Sequence, residues 1–451
     1  MSHEGLLDDL QTALARRDED AIQEACARLN PVDIADFLCE QEAIGQGDLA
    51  VRLILSMSVT RRAEIFGRLS EPAQRSLASQ LPPETLAELV AAMPHDERAD
   101  LFNVLDESAR HDVLKRLAHT EREDLRHLAS YKEGTAGAIM TSDYASLPAS
   151  ITVAEAIGVL RNTAPDKETI YQCYVVNGNH YLLGTLSLRD LILAPASSSI
   201  DDLMVRDMVT ATVDTSQEAV TRKIARYDLL ALPITDDGGR LVGIVTYDDA
   251  MDVAEAEATE DIHKSATVGK LRRPIGQAGL GVLYRSRISW LVMLVFANIL
   301  TGAGITHFEE TIAAHLSLLF FMPLLIASAG NAGAQASTLM VRGMATGEVV
   351  GRDWLRLLGK EILVAGALGI TMAVAVMVIG VARTGFDIAM VVAMTMVIVV
   401  LMGSLVGLTL PFILDKLDID PATSSVPLIT TVADVGGVVV YFSIATAVLG
   451  L

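Results

Sequence analysis

Apolar positions follow three different patterns along the chain. From residue 284 onward they run almost unbroken, in five stretches near or above the ~20 residues that a membrane-spanning helix needs. These are Ile288–Thr306, Ile312–Val341, Trp354–Val381, Ile388–Leu414 and Ala422–Leu451. In residues 1–131 they recur at three- and four-residue spacing, as in "DIADFLCEQ", "RAEIFGRLSE" and "RADLFNVLD", which is the period of amphipathic helices. Pro72, Pro82, Pro83 and Pro94 punctuate the turns. The pattern predicts short helical hairpins stacked as a solenoid, with loose repeats of roughly fifteen residues. Between these regions, residues 138–258 mix amphipathic helices with short strands such as "YQCYVVN" and "LVGIVTY".

The middle region repeats itself. "LLGTLSLRDL" pairs with "LVGIVTYDDA", so that Gly184 matches Gly243, Ser187 matches Thr246 and Asp190 matches Asp249. The glycines of "DDGGR" read as a hairpin turn rather than a phosphate loop. Two such units resemble a tandem pair of cystathionine-β-synthase (CBS) domains. That resemblance implies a ligand sensor, with Asp190 and Arg189 contacting the ribose and phosphates of an adenine nucleotide such as ATP. A purely structural module is the competing reading.

Charge divides where hydropathy does. Residues 284–451 carry 10 acids and 8 bases, whereas the first 283 carry 46 acids and 27 bases, within a total net charge of -21. An acidic front part argues against nucleic-acid binding and suits cations as partners. Cys26, Cys39 and Cys173 show no paired spacing, which fits reduced thiols in the cytosol. The opening "MSHEGLLDDLQTALARRDEDA" lacks the basic start and apolar core of a signal peptide. Lys264, Lys270, Arg272, Arg273, Arg285 and Arg287 precede the first span, and Arg342, Arg352, Arg356 and Lys360 lie between the second and third. The positive-inside rule then places the N-terminus in the cytoplasm and, after five spans, the C-terminus outside.

Two spans carry chemistry. "PLLIASAGNAGAQAST" sets Gly330, Asn331, Gly333, Gln335 and Thr338 where leucines would be simpler. "PLITTVADVGG" sets Asp434 inside the last span, beside Thr430 and Thr431. A carboxylate in a membrane span costs a few kcal/mol and marks a functional site by default. No Lys or Arg lies at similar depth in neighbouring spans, so a mobile cation is the natural counter-charge. The glycines have two readings: close helix packing, or, with Ala433, room for an ion's water shell. Pro323, Pro411, Pro421 and Pro427 are expected to release backbone carbonyls toward a water-filled path. Magnesium releases its water reluctantly and touches one or two carboxylates, so one Asp with Thr hydroxyls, Asn331 and carbonyls suits it. No HExxH and no Ser–His pairing suggests an enzyme.

A second acidic group ends the CBS region. "YDDAMDVAEAEATEDI" holds Asp249, Asp252, Glu257, Glu260 and Asp261, with Asp249, Asp252 and Glu260 on one helical face. Two carboxylates ~6 Å apart repel by about 3 kcal/mol at an effective dielectric near 20. Such contacts splay the parts that carry them until a divalent cation reverses the sign. A solvated acidic face is the alternative. Asp96 and Asp100, four apart on an N-terminal helix, are candidate partners.

The whole chain resembles the MgtE family of magnesium channels and transporters, in the order helical domain, "SYKEGTAGAIMT", CBS pair, "EATEDI" and five spans. The resemblance implies a multidomain membrane protein with an all-α helical solenoid over 1–131 and an α/β tandem CBS pair over 138–258. A connecting helix over 259–283 and a five-helix transmembrane pore domain over 284–451 follow. It implies a homodimer in the plasma or inner membrane, with lipid around one shared pore. Asp434 falls at the pore ion site with Asn331 nearby, and Asp420 at the pore entrance. Glu218 and Asp228 join the regulatory carboxylates, with Mg2+ as both cargo and regulator. An ion-coupled divalent-cation (Mg2+/Co2+) carrier and a non-transporting membrane nucleotide sensor remain the alternatives.

Overall fold

The computed structural model describes residues 10–450, apart from 15, 17, 270, 272–274, 276, 277 and 425. Lys270, Arg272 and Arg273 of the basic segment therefore lie outside the described residues. The chain divides into two compact units, Met1–Ala256 and Glu257–Leu451.

The first unit opens with a helical solenoid whose repeat is twelve residues, shorter than the spacing predicted. Helices begin at Gly47, Val59, Glu71, Pro83, His95, Glu107 and His119, each twelve residues after the last. Three positions of the repeat explain it. Leu53, Ile65, Leu77, Leu89, Leu101, Val113 and Leu125 are sealed in the core, and Met57, Leu69, Leu81, Met93, Leu105 and Leu117 are buried between helices. Between them stands a long polar side chain that folds back on the preceding turn. Arg62 donates from Nε to the Ile54 carbonyl at 3.0 Å and from Nη2 to Met57 at 3.1 Å. Gln74 donates to Phe66 at 3.0 Å, Arg98 to Met93 at 2.9 Å, Arg110 to Asn103 and Arg122 to Leu117 at 3.1 Å. Each satisfies carbonyls that a helix end leaves orphaned, and the arginines place positive charge at its negative pole. Helices two places apart pack together, Val59–Gly67 on Pro83–Ala92 and Glu71–Ala78 on His95–Val104. Prolines enter at first turns, where a missing N–H costs nothing.

The CBS pair holds two three-stranded sheets of the same design. In the first, β1 (Tyr144–Pro148) runs parallel to β2 (Thr169–Val176), which pairs antiparallel with β3 (Leu182–Ser187). In the second, β4 (Ala211–Thr212), β5 (Ala231–Thr235) and β6 (Leu241–Thr246) do the same. The pattern predicted β2, β3, β5 and β6 but not β1, whose sequence YASLP lacks clean polar and apolar alternation, nor β4, which is only two residues long. The "DDGGR" segment is the hairpin expected, with Asp236 accepting from the Arg240 amide at 2.8 Å and Gly239 at φ 82°. The two sheets exchange their leading segments. Thr141 pairs with Ile244 of β6, and Val205 pairs with Thr185 of β3. Met140 and Met204 lie against Gly243 and Gly184, where any Cβ would collide with methionine sulfur. That is why both copies keep a glycine there. The solenoid core continues into the second repeat through Val220, Ile224, Leu232 and Val245.

The second unit contains five helices long and apolar enough to cross a membrane, among the described residues: Leu280–His307, Leu318–Ala345, Trp354–Thr384, Phe386–Lys416 and Val426–Leu449. The second span starts six residues later than its apolar run, because a separate short helix, Glu309–Ala314, ends before His315. The last starts at Val426 because Pro421–Thr423 forms a 3-10 turn of its own. Gly385 alone joins the third and fourth spans, at φ 91°.

Glycines set the spacing of spans two, four and five. A Cβ on Gly403 would lie 2.1 Å from the Ala329 carbonyl oxygen, and one on Gly407 2.0 Å from that of Gly333. Gly333 faces Gly403 and Ile429, and Gly330 faces Thr430. Gly330, Gly333 and Ala433 are buried by neighbouring helices, so they serve close packing and leave no room for water. Pro421 and Pro427 stand in first turns, and Pro323 and Pro411 lie within continuous helices, so none of the four breaks a span.

Replacing Gly407 with alanine drives a methyl into the Gly333 backbone and should cost about 1–3 kcal/mol of packing. Gly366, which has open space around it, should accept alanine without loss. Thermal unfolding of the two purified variants in detergent checks this contrast. Equal melting points would refute the close-packing assignment.

Candidate functional site

Asp434 stands half-buried in the third turn of the last span, with buried Thr431 and half-buried Thr430 on the turn before it. Both hydroxyls donate to the Pro427 carbonyl, at 3.0 Å from Thr430 and 2.9 Å from Thr431. Their hydrogens are thus committed to the helix, and the lone pairs are what they offer to anything alongside. Asn331 is exposed within this chain, as are Gln335 and Thr338, at the i, i+4, i+7 spacing of one helix face. It follows directly on Gly330, whose Cα packs against Thr430. Asn331 and Asp434 therefore belong to adjoining turns of two tightly packed helices.

In the first unit the carboxylates converge from distant positions. Asp96 and Glu97 lie in the first turn of His95–Val104, and Asp249 lies in the first turn of Tyr247–Ser265. Burial pushes the Asp96 carboxyl up to about 6, with the charge of Glu168 adding to it. Burial likewise lifts Glu97 to about 8, helped by Asp96, and Asp249 to about 7, again with Asp96. Asp100 sits nearer the surface and is raised by desolvation first and then by Asp249 and Glu133. Asp96 Oδ1 and Glu97 Oε2 are buried with no hydrogen-bond partner. The carboxyl of Glu97 fills the space that a Cβ on Gly67 would need. Asp249 accepts from the Thr246 hydroxyl.

Beside this group His95 ties the solenoid to the CBS pair. Its Nδ1 lies 2.7 Å from Asp124 Oδ2 and its Nε2 3.1 Å from Asp143 Oδ2. Among the described residues no three acidic, His or Cys side chains have the spacing of direct metal ligands. The arrangement suits an ion that keeps water between itself and most of these oxygens.

The remaining predicted residues are dispersed. Asp252 is exposed, and desolvation and Asp248 raise its carboxyl. Glu218 and Asp228 stand at opposite ends of the helix Gln217–Tyr227, ten residues and about 15 Å apart, too far to share one ion. Glu218 pairs with Arg222 at 3.2 Å, and Asp228 caps the helix at φ 51°. Asp190 and Arg189 are exposed. Asp190 accepts from the Ser187 hydroxyl at 2.5 Å while its own amide donates back at 3.1 Å, a cap on the helix Leu188–Leu193. Glu257, Glu260 and Asp261 follow on the second half of Tyr247–Ser265, and Glu260 bonds Lys264 at 2.6 Å. Asp420 accepts from the Ala422 amide at 2.8 Å, capping its turn.

Glu97, Glu168 and Asp143 had escaped the sequence reading. Glu168 and Asp143 lie in other segments, and only folding brings them into this group; Glu97 adjoins Asp96 in sequence, and folding brings both beside Asp249. The twelve-residue register would have found Glu97, because it follows Asp96 on the face that Gly67 vacates.

Residues 322–444 match the family described as a divalent cation transporter, MgtE. Residues 29–134 match the MgtE intracellular N domain, and 136–197 with 200–256 match CBS domains. The magnesium transporter MgtE of Thermus thermophilus is 41% identical over 329 residues, covering 73% of each chain. That of Bacillus subtilis is 35% identical over 74% of each. A crystal structure of the soluble part of a magnesium transporter superposes with a TM-score of 0.53 at 32% identity, over 57% of this chain and all of that one. The cytosolic domain of the Mg2+ channel MgtE in complex with ATP gives 0.52 at 35% identity, over 54% and 98%. The chain thus matches family models for its solenoid, its CBS pair and its membrane region, and curated relatives over nearly three quarters of their length, and it belongs to the MgtE family of divalent cation transporters, which are not enzymes.

Proposed function

We propose that the protein carries Mg2+ across the plasma or inner membrane and closes when cytosolic Mg2+ fills its acidic sites. The single observation that carries the transport reading is Asp434, a carboxylate within a span beside acceptor oxygens. A hydrated Mg2+ turns only water hydrogens outward, and it usually sheds few of those waters. Threonines whose hydrogens are committed to Pro427 meet it as acceptors. The names of the relatives from Thermus and Bacillus support the same ion. By the same reading the pore lies between two copies of the chain, the N-terminus is cytoplasmic and the C-terminus outside. ATP is a regulatory ligand of the CBS pair, which the ATP-bound neighbour supports.

The gating reading rests on the buried carboxyls of Asp96, Glu97 and Asp249. Without a divalent ion they hold protons or repel one another; with one they are drawn together. Sites of this softness bind divalent ions at roughly 10⁻⁴–10⁻³ M, within reach of an abundant cytosolic cation.

Reconstituted in liposomes, wild type should take up magnesium and Asp434→Asn should fall to background while still inserting and running as the wild-type oligomer. Uptake by Asp434→Asn near the wild-type rate would refute the pore site. Flux under a magnesium gradient alone, without a proton or sodium gradient, separates a channel from a coupled carrier.

Neutralising Asp96, Asp100 and Asp249 together to Asn should leave a pore that conducts but ignores internal Mg2+. Patch currents that still close at the wild-type concentration would remove these residues from gating.

Protons compete at the same site. Folded values of about 6, 8 and 7 for Asp96, Glu97 and Asp249 exceed the 3.8 to 4.5 of free carboxyls. The folded unit therefore holds more protons between those limits, and its stability falls as pH rises through that window. Asp124 stays ionised there: desolvation raises its pKa, but the hydrogen bond and charge of His95, the Ser142 hydroxyl and Arg98 together outweigh it and lower the pKa. In chelator, the melting temperature of the soluble segment 1–256 should drop from pH 5 to pH 8. Millimolar Mg2+ should restore it at pH 8 and do little at pH 5. A melting temperature that rises with pH in chelator would contradict the assignment.

A further inference from the structure

Three bases of the second unit stand apart from the charge pattern of the chain. Arg352 lies in the 3-10 turn Gly351–Asp353 that leads into the third span, and Arg356 and Lys360 follow one and two turns later in Trp354–Thr384. All three are exposed, and among the described residues none has a carboxylate within ion-pair distance. Elsewhere, in a chain of net charge -21, exposed arginines find acids readily. Arg75 bonds Glu71 and Arg206 bonds Asp201, each at 2.8 Å. Here Asp353 is engaged with the Val350 amide at 3.2 Å, and Glu361 is half-buried on another face. The face that the bases mark continues beyond them. Leu363, Ile370, Val374 and Val378 extend it at helical spacing, all exposed within the chain. Gly359 sits among the bases with nothing within 4 Å of where its Cβ would be. Farther along, Ile370, Val374, Met377 and Val378 form an open groove of about 570 Å³ with Ala393 and Val397 of the fourth span. The two helices touch tightly there, since a Cβ on Gly369 would lie 3.0 Å from Val397 Cα and one on Gly380 2.9 Å from Ala389 Cβ. From Lys360 to Ile370 the helix rises about 15 Å, half of a ~30 Å hydrocarbon core.

We propose that this face of the third span binds an anionic phospholipid, whose phosphate lies among Arg352, Arg356 and Lys360 and whose acyl chains run past Leu363 to the near end of the groove. Charge selects the occupant. Bases beside a membrane span attract anionic headgroups, and arginine meets a phosphate with paired donors. A zwitterionic lipid offers the same chains but brings its own ammonium to the stripe. A free phosphate has nothing to place on Leu363 and Ile370. A second copy of the chain, docked on this face about an axis along the membrane normal, would set the same three cations against each other. Gly359 lets the glycerol region approach the backbone between Arg356 and Lys360, where a side chain would hold it off. Charge, bare backbone, apolar surface and groove thus follow one another along the helix in the order of headgroup, glycerol, chain and chain end. Under the orientation read from the positive-inside rule, the leaflet is the cytoplasmic one. The site shares no residue with the cation sites and does not depend on them.

A single tryptophan reports on the lipid chains that touch it. The chain has two, Trp290 and Trp354. In the full-length protein carrying Trp290→Phe and Trp354→Phe, Leu363→Trp puts the reporter on the proposed face and Leu368→Trp on the opposite one. After reconstitution in bilayers of chain-brominated and ordinary lipids, quenching gives the affinity of phosphatidylglycerol relative to phosphatidylcholine. That preference should be about tenfold or more at Leu363→Trp and close to one at Leu368→Trp. Each of Arg352→Gln, Arg356→Gln and Lys360→Gln should lower it about two- to fivefold, and the three together should abolish it. The single variants keep the apolar face intact, so they carry the test even if the triple variant fails to insert. Raising NaCl to about 0.5 M should narrow the preference. Equal quenching by the two lipids at Leu363→Trp, or a preference that the single variants leave untouched, would overturn the proposal. So would a preference of the same size at Leu368→Trp, which is general enrichment around the protein. A preference removed by millimolar inorganic phosphate would make the stripe a free-anion site and overturn it equally.

Discussion

A carboxylate withdrawn from water without a cation beside it is the constraint that organises this molecule. It occurs in the solenoid at Asp96 and Glu97, at the start of the long helix at Asp249, and in the last span at Asp434. Desolvation disfavours the charged form in each protein-enclosed case, and the fold supplies few bases to compensate. What the chain leaves unneutralised invites positive charge from solution, once in the first unit and again in the last span.

The parts readable in the sequence were those whose cause is local. Five spans follow from apolar length, and the CBS pair follows from two copies of the same strand, glycine and Ser/Thr-x-x-Asp order. The solenoid was recognisable from its helical period, but its register was misjudged. Prolines mark only some of the turns, while the sealed position held by Leu53 through Leu125 has no distinctive residue type. The site was legible where chemistry violates its surroundings, as at Asp434. It was not legible where a residue looks ordinary in its own segment, as at Glu97 and Glu168, because their meaning comes from partners tens or hundreds of residues away.

The glycines of the second span show how one composition serves two different ends. Small residues in a membrane helix permit either close backbones or an open space. Here the partners decide, because Gly333 and Gly407 meet backbone to backbone and Gly330 meets Thr430. Close packing in turn fixes the heights of Asn331 and Asp434 relative to each other more firmly than apolar side chains alone would. The polar face is defined by what the glycines bring together on the opposite side.

The exchanged leading segments of the CBS pair bear on how the chain comes to be folded at all. Thr141 completes a sheet whose own strands end more than a hundred residues later, and Val205 completes the sheet that precedes it. Neither half is whole until the other has been synthesised. Contacts of such separation are slow to form, and the first repeat must wait on the ribosome with Val205's place beside Thr185 unfilled. A truncation after the first repeat is therefore no smaller version of this CBS pair but an unfinished one. In evolution the two halves can diverge in sequence, but neither can be lost alone.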